Sequence, residues 1–261
     1  SVNRVVFSTC LATDMSGFST IAEQMKPGEL AEFLNDYFDS LAQPLRNHGV
    51  DVTEFRADAI MCAWTGDPDN PAVRRNPILA SLEAAEAIAR FRDRHQMFES
   101  KLRIGMEAGE VYVGHAGGGG HFVYSIVGDS ANTASRIEGL NKHIGTQILA
   151  TEAVVEGLDG LVMRHLGAFQ FVGKTEAIPI YEVLAQESTA RDWQLRLRDT
   201  FAEAMAAYFA ADWQLASDRL GEMRREFPED GPTKFFLARC QEFLSEPGKA
   251  EDPGVVRMYA K

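Results

Sequence analysis

Asn132 and Arg136 stand four residues apart in the run Asp129-Ser130-Ala131-Asn132-Thr133-Ala134-Ser135-Arg136. Residues at i and i+4 share one face of a helix, so this spacing aims an amide and a guanidinium the same way. The run follows an apolar stretch, Phe122–Val127, that ends in Gly128-Asp129. A strand, a glycine turn and a helix with polar first turns can present groups to a phosphate-bearing ligand. The planar fork of an arginine matches phosphate oxygens; the plainer alternative for Arg136 is a solvated helix charge. Asp14 closes a second apolar stretch, Val5, Val6, Phe7, Cys10 and Leu11, just before Gly17. A carboxylate there can hold a divalent cation, or it can simply cap the following helix.

Other elements must position these groups. Arg4–Leu11 is expected to form a strand buried on both faces. Leu30, Phe33, Leu34, Tyr37, Phe38, Leu41 and Leu45 recur at helical spacing and predict an amphipathic core helix over Pro27–His48. Val50–Trp64 is expected as a β-hairpin, residues 65–76 as a polar loop, and Pro77–Met97 as an alanine-rich helix. Arg103–Val113 is a β-rich run that leads into the glycine cluster Gly117–Gly120. Strands are expected again at Gln147–Ala150, Leu161–Phe171 and Ile178–Val183.

The 261 residues are enough for one large domain, or one domain with an appendage. The 45% hydrophobic and 25% charged content is that of a globular protein. A formal net charge of −12 disfavours a nucleic-acid surface, which needs a basic footprint. It also means that a triphosphate site must gain positive charge locally, from metal ions and a few Lys or Arg. Cys10, Cys62 and Cys240 have no CxxC spacing and are expected as reduced thiols. No signal peptide and no apolar run of membrane-spanning length is visible, so a cytoplasmic location without membrane contact is expected. The chain starts almost directly in a strand pattern, which suggests the excised catalytic portion of a longer signalling protein with an upstream sensor domain.

The run Val127-Gly128-Asp129-Ser130-Ala131-Asn132-Thr133-Ala134-Ser135-Arg136-Ile137-Glu138 resembles the class III nucleotidyl cyclases, whose pattern here is roughly V-G-D-x-V-N-x-A-S-R-[IL]-E. Ala12-Thr13-Asp14-Met15-Ser16-Gly17-Phe18-Ser19 resembles that family's first metal motif, F-x-D-[IM]-x-G-F-[ST]. Asp58, Met61 and Trp64 match its second, although Ala57 stands where the family usually has Gly. A non-Gly residue strains that turn if it needs positive φ. Phe171-Val172-Gly173-Lys174 resembles its closing K-G-K element, with Val172 in place of the first Lys. The resemblance runs from about Val5 to Val183.

The resemblance implies an α+β fold of the class III cyclase type. Its core is a ferredoxin-like βαββαβ arrangement, a mostly antiparallel sheet with helices on one face. It implies cyclisation of a nucleoside triphosphate by attack of the ribose 3′-hydroxyl on the α-phosphate. Two divalent cations, Mg²⁺ or Mn²⁺, would be held by Asp14, Asp58 and the Met15 carbonyl. Asn132 would orient the ribose and Arg136 would stabilise the transition-state phosphate. Gly17, Phe18 and Lys174 would contact the phosphates; a solvated surface Lys is the alternative for Lys174. These roles divide across a homodimer in the family, so a monomer is expected to be inactive.

Base choice falls to Glu54 and Ser125, which match the family's base-reading positions. An ionised Glu only accepts hydrogen bonds, so it suits the N1–H and N2–H₂ edge of guanine, and Ser125 could donate to O6. GTP is therefore favoured over ATP, making the chain a guanylate cyclase; loose base reading with a solvated Glu54 is the alternative. An adenylate cyclase and a degenerate nucleotide-binding or dimerising module are the competing functions, the latter on Ala57 and Val172.

Composition changes near Ala190. Phe201, Ala204, Tyr208, Ala211, Trp213, Ala216, Leu220 and Phe227-Pro228 resemble one tetratricopeptide unit, and a further helix is expected over Thr233–Leu244. The expected division is a catalytic domain over 1–189 and a helical tail over 190–261. One such unit cannot bury its own apolar face, so the tail is expected to pack on something else.

Overall fold

The computed structural model describes residues 3–56, 59–97 and 99–259. Internal contacts divide the chain into two units, residues 1–138 with 153–156, and residues 139–152 with 157–261.

The first unit opens with β1 (Arg4–Met15), the short α1 (Phe18–Ala22) and α2 (Pro27–Asn47). Pro27 begins α2 where its missing N–H costs nothing, and Phe33, Tyr37, Leu41 and Leu45 form its buried stripe. The hairpin β2 (Val52–Arg56) and β3 (Ala59–Thr65) follows, then α3 (Ala72–His95), β4 (Leu102–Gly118), β5 (His121–Val127) and α4 (Asp129–Ile144). The strands run in the order β2-β3-β1-β4, all antiparallel to their neighbours, and β5 folds back antiparallel on the far half of β4. With helical crossovers after β1 and β3, this is the expected βαββαβ core. The β4–β5 turn is Gly119-Gly120, both at positive φ (61° and 82°), the geometry that a two-residue hairpin turn needs and glycine supplies.

Two expectations change in detail. α3 starts at Ala72 rather than Pro77, and the loop is correspondingly shorter. Pro77 sits inside the helix, where it forgoes one backbone bond, and its buried ring packs in the core. Helices also occupy both faces of the sheet. Leu11 pairs with Met106, and Ser81 of α3 donates to the Met106 sulfur on that face. Cys10 and Ala12 alternate to the opposite face, where they join Met61, Ala63, Val111 and Val113 against Ala131 and Ala134 of α4.

In the second unit β6 (Ile148–Thr151) is followed by the one-turn α5 (Glu152–Val155), whose residues from Ala153 on are grouped with the first unit. Then come β7 (Leu161–Gln170), β8 (Ile178–Gln186), α6 (Asp192–Phe209), α7 (Trp213–Glu226), α8 (Gly231–Ser245) and β9 (Val255–Arg257). The strand order is β6-β8-β7-β9, with β9 parallel to β7 and the other pairs antiparallel. Asp212 and Asp230 cap α7 and α8, each accepting from a backbone N–H three residues on. Phe201, Tyr208 and Phe236 are fully buried between these helices. All three cysteines are free and buried, and burial pushes the Cys62 thiol up to about 12. Among the described residues no helix is long and apolar enough to cross a membrane.

Candidate active site

α4 carries the amide and guanidinium singled out by spacing, and its seat is set by two glycines on β4. A Cβ on Gly105 would lie 2.1 Å from the Glu138 nitrogen and 2.6 Å from the Ala134 carbonyl oxygen. A Cβ on Gly109 would lie 2.3 Å from the Ser130 hydroxyl. The helix backbone therefore touches the strand directly. Ala131, Ala134 and Ile137 are buried against the sheet, while Asn132 is exposed and Arg136 half-buried on the other side. Gly105→Val should unseat α4, lowering the melting temperature and cutting activity together; Gly139→Ala, inside α4 with open space around it, should leave activity unchanged and raise the melting temperature slightly.

Asp14 lies half-buried at the end of β1, and the Met15 N–H donates to its Oδ1 at 2.8 Å. Strand alternation puts Asp14 on the same face as Cys10 and Ala12, the face that α4 covers. The Met15 side chain is 2% exposed, so only its backbone is free to face a ligand. A carboxylate and a carbonyl at one strand end are hard oxygen donors and fit Mg²⁺ or Mn²⁺. Asp58 and Ala57 lie outside the described residues. Their flanks are fixed: Arg56 pairs with Ala59, and Ile60 pairs with Thr13 beside Asp14, donating its N–H to Thr13 Oγ1 at 3.3 Å.

Gly17 starts α1 in the left-handed region, at φ 74°. The Phe18 ring is 6% exposed and packs on Phe33 and Tyr37 at centroid distances of 5.4 and 5.3 Å. What these two residues can offer a phosphate is therefore backbone N–H. Lys174 belongs to the second unit, in the turn after β7, where its N–H donates to the Phe171 carbonyl at 3.0 Å. It lines a cavity of about 320 Å³ together with Gln170, Gly173, Arg257 and Tyr259.

The two base-reading positions come together across β2 and β5. Glu54 is mostly buried, with a side chain 14% exposed, and its Oε2 accepts the Ile126 N–H at 3.3 Å, one residue from Ser125. The Ser125 hydroxyl donates to the Val123 carbonyl at 3.3 Å. Sequence reasoning missed Arg56, whose Nε and Nη2 donate to the two Glu54 carboxylate oxygens, each at 3.2 Å. The signal was available: residues i and i+2 of a strand share a face, and the two charges are opposite.

Residues 4–183 match the family model for the adenylate and guanylate cyclase catalytic domain. Adenylate cyclase 1 of Rhizobium meliloti (strain 1021) is 31% identical over 180 residues, which is 67% of this chain and 27% of that protein. Retinal guanylyl cyclase 1 of Rattus norvegicus is 32% identical over 172 residues, 64% of this chain and 15% of that protein. The chain thus spans about a quarter or less of the length of these two relatives. The crystal structure of the adenylyl cyclase CyaB from P. aeruginosa shares the fold, with a TM-score of 0.61 at 20% identity over 74% of this chain and 98% of that one.

Proposed function

This chain belongs to the adenylate and guanylate cyclase catalytic-domain family, and from that premise we propose that it is a guanylate cyclase, converting GTP to 3′,5′-cyclic GMP and pyrophosphate at two sites shared across a homodimer. The observation that carries the base choice is the approach of β2 and β5, which sets the Glu54 carboxylate beside Ile126 and Ser125. A carboxylate accepts from guanine N1–H and N2–H₂, whereas adenine would turn its N1 lone pair toward it. An unpaired buried polar group costs about 1–3 kcal/mol, and a site of this kind favours the matching base by that margin or more.

Asp14, the Met15 carbonyl and Asp58 would hold two divalent cations, Mg²⁺ or Mn²⁺. These supply the chemistry of lowering the pKa of the 3′-hydroxyl and neutralising the leaving phosphates. Asn132 orients the ribose. Arg136, one turn further on the same helix face, pairs with the α-phosphate oxygens as charge builds on them. The backbone N–H groups of Gly17 and Phe18 and the Lys174 ammonium hold the outgoing phosphates.

Dimerisation is supported by apolar side chains that the first unit leaves exposed on the base-reading strands, Phe55 (57%), Phe122 (61%) and Val123 (62%). The catalytic domain is proposed to end near residue 189, since the family match stops at 183 and α6 begins at Asp192. The helices beyond it are proposed as a tetratricopeptide-like appendage with a structural role.

Incubation with Mg²⁺ or Mn²⁺ and equimolar GTP and ATP, followed by mass spectrometry, tests the reading. Predominantly cyclic GMP is expected. Predominantly cyclic AMP would keep the mechanism and overturn the base assignment, a second reading favoured by the Rhizobium relative's name. In the double variant Glu54→Lys with Ser125→Asp, preference should move toward ATP; an unchanged GTP preference would count against both residues.

A further inference from the structure

We propose that Arg56 is a specificity-determining residue that reads O6 and N7 of guanine beside the edge taken by Glu54. The inference rests on the guanine reading above and adds a residue that the sequence comparison did not assign. Glu54 and Arg56 alternate to the same face of β2, and two guanidinium N–H groups hold the two carboxylate oxygens at 3.2 Å. A guanidinium has five N–H donors, so three remain after this pairing. The carboxylate is mostly buried, 14% exposed, while the arginine side chain is 46% exposed and open to an incoming base.

The need for such a donor follows from Ser125. Its hydroxyl donates to the Val123 carbonyl at 3.3 Å, so it can donate to a base only by giving up that bond. Guanine docked with N1–H on the acceptor site that Arg56 and the Ile126 N–H leave open on Glu54 presents O6, and next to it N7, both acceptors. An arginine fork matches that pair of atoms geometrically. Adenine would set its N6 amino group in the O6 position, donor against donor. Arg56 therefore adds discrimination on the side of the base that Glu54 does not reach.

The test is steady-state kinetics and nucleotide calorimetry on the full chain, with Arg56→Met, Arg56→Lys and Glu54→Gln. The substrates are GTP, ATP and inosine triphosphate, which keeps O6 and N7 but lacks the 2-amino group. Arg56→Met should lower kcat/KM for GTP about tenfold, mainly through KM, and lower it by the same factor for inosine triphosphate. The GTP-to-ATP ratio should narrow accordingly, and Arg56→Lys, a point charge without the fork, should recover only part of it. A circular-dichroism melt matching wild type excludes a folding defect, and calorimetric GTP affinity should fall in step with KM. An unchanged GTP-to-ATP ratio, or tighter GTP binding in Arg56→Met, would show a salt bridge that merely covers Glu54 and would overturn the proposal. The two levels separate cleanly. Wild-type preference for ATP overturns the guanine reading and this inference together. GTP preference that is lost in Glu54→Gln but kept in Arg56→Met overturns the role of Arg56 alone.

Discussion

Asp14→Ala and Arg136→Ala proteins, each nearly inactive alone, are expected to regain about a quarter of wild-type activity when coexpressed in equal amounts. The number follows from the proposed sharing of each site between two protomers. Random pairing makes half of the dimers mixed, and each mixed dimer has one site carrying both defects and one carrying neither. Alone, Arg136→Ala removes the charge proposed to face the α-phosphate, an expected loss of about 10²–10³-fold in kcat. Asp14→Ala removes a carboxylate from the proposed metal site and should cost at least as much. If one protomer supplied both residues to a site, every site in a mixed dimer would retain a defect and no rescue would appear. The measurement is cyclic nucleotide formation by the coexpressed mixture against each homodimer; mixed dimer isolated through two different tags should show about half of wild-type activity. Activity no greater than the sum of the two single variants would rule out the shared site.

The placement of the proposed site's polar groups on their elements was legible because the proposed chemistry needs particular residue types at fixed spacing. Asn132 and Arg136 fall on one helix face for the reason that any i, i+4 pair does, and α4 forms where Gly128-Asp129 opens it. The hairpins were legible from their turns, most directly at Gly119-Gly120, where two positive φ values admit little else. The juxtaposition of the proposed base-reading residues was not legible. Glu54 and Ser125 lie 71 positions apart and meet because β5 folds back on β4 toward β2, a placement that local pattern does not encode. Arg56 was overlooked because a charged residue on an exposed strand reads as solvated until its partner is seen. The roles of Gly105 and Gly109 were hidden for a different reason: a missing side chain has no periodicity, and only the α4 backbone above Gly105 and the Ser130 side chain above Gly109 show what a Cβ would meet. β9 was missed because three residues carry too little alternation, and its parallel pairing to β7 joins residues more than 80 positions apart.

Asp230→Ala is expected to destabilise the second unit by about 3–5 kcal/mol, because it leaves a buried arginine half-paired. Arg164 is 3% exposed and donates through Nη1 and Nη2 to the two Asp230 oxygens at 2.9 and 2.6 Å, and through Nε to Glu182 at 2.7 Å. Its guanidinium carbon lies 4.7 Å from the centre of the Phe201 ring on α6. Asp230 is also the N-cap of α8, accepting from the Thr233 N–H at 3.1 Å and the Thr233 hydroxyl at 2.6 Å. One carboxylate thus ties β7 to the start of α8, and its loss removes a cap as well as a charge. Asp230→Asn, which can still accept at the cap, should fall between wild type and Asp230→Ala. The acid behaviour carries a second signature. Burial alone would raise the Asp230 pKa, but the hydrogen bonds and charge of Arg164 hold it below the usual 3.8. A carboxylate lowered in the folded state stabilises above its unfolded value, and that contribution is lost as pH falls through the folded value. Glu182 is shifted the other way, upward, by burial ahead of the pull of Arg164. Its protonation favours the folded state as pH falls, so the two groups oppose each other in acid. Denaturant melts from pH 7 to pH 3 should show wild type losing stability below about pH 4 as Asp230 protonates. Asp230→Ala should lose that step. The same acid loss in wild type and Asp230→Ala, or a stability change under about 1 kcal/mol at pH 7, would show that the Arg164 network does not hold these elements together.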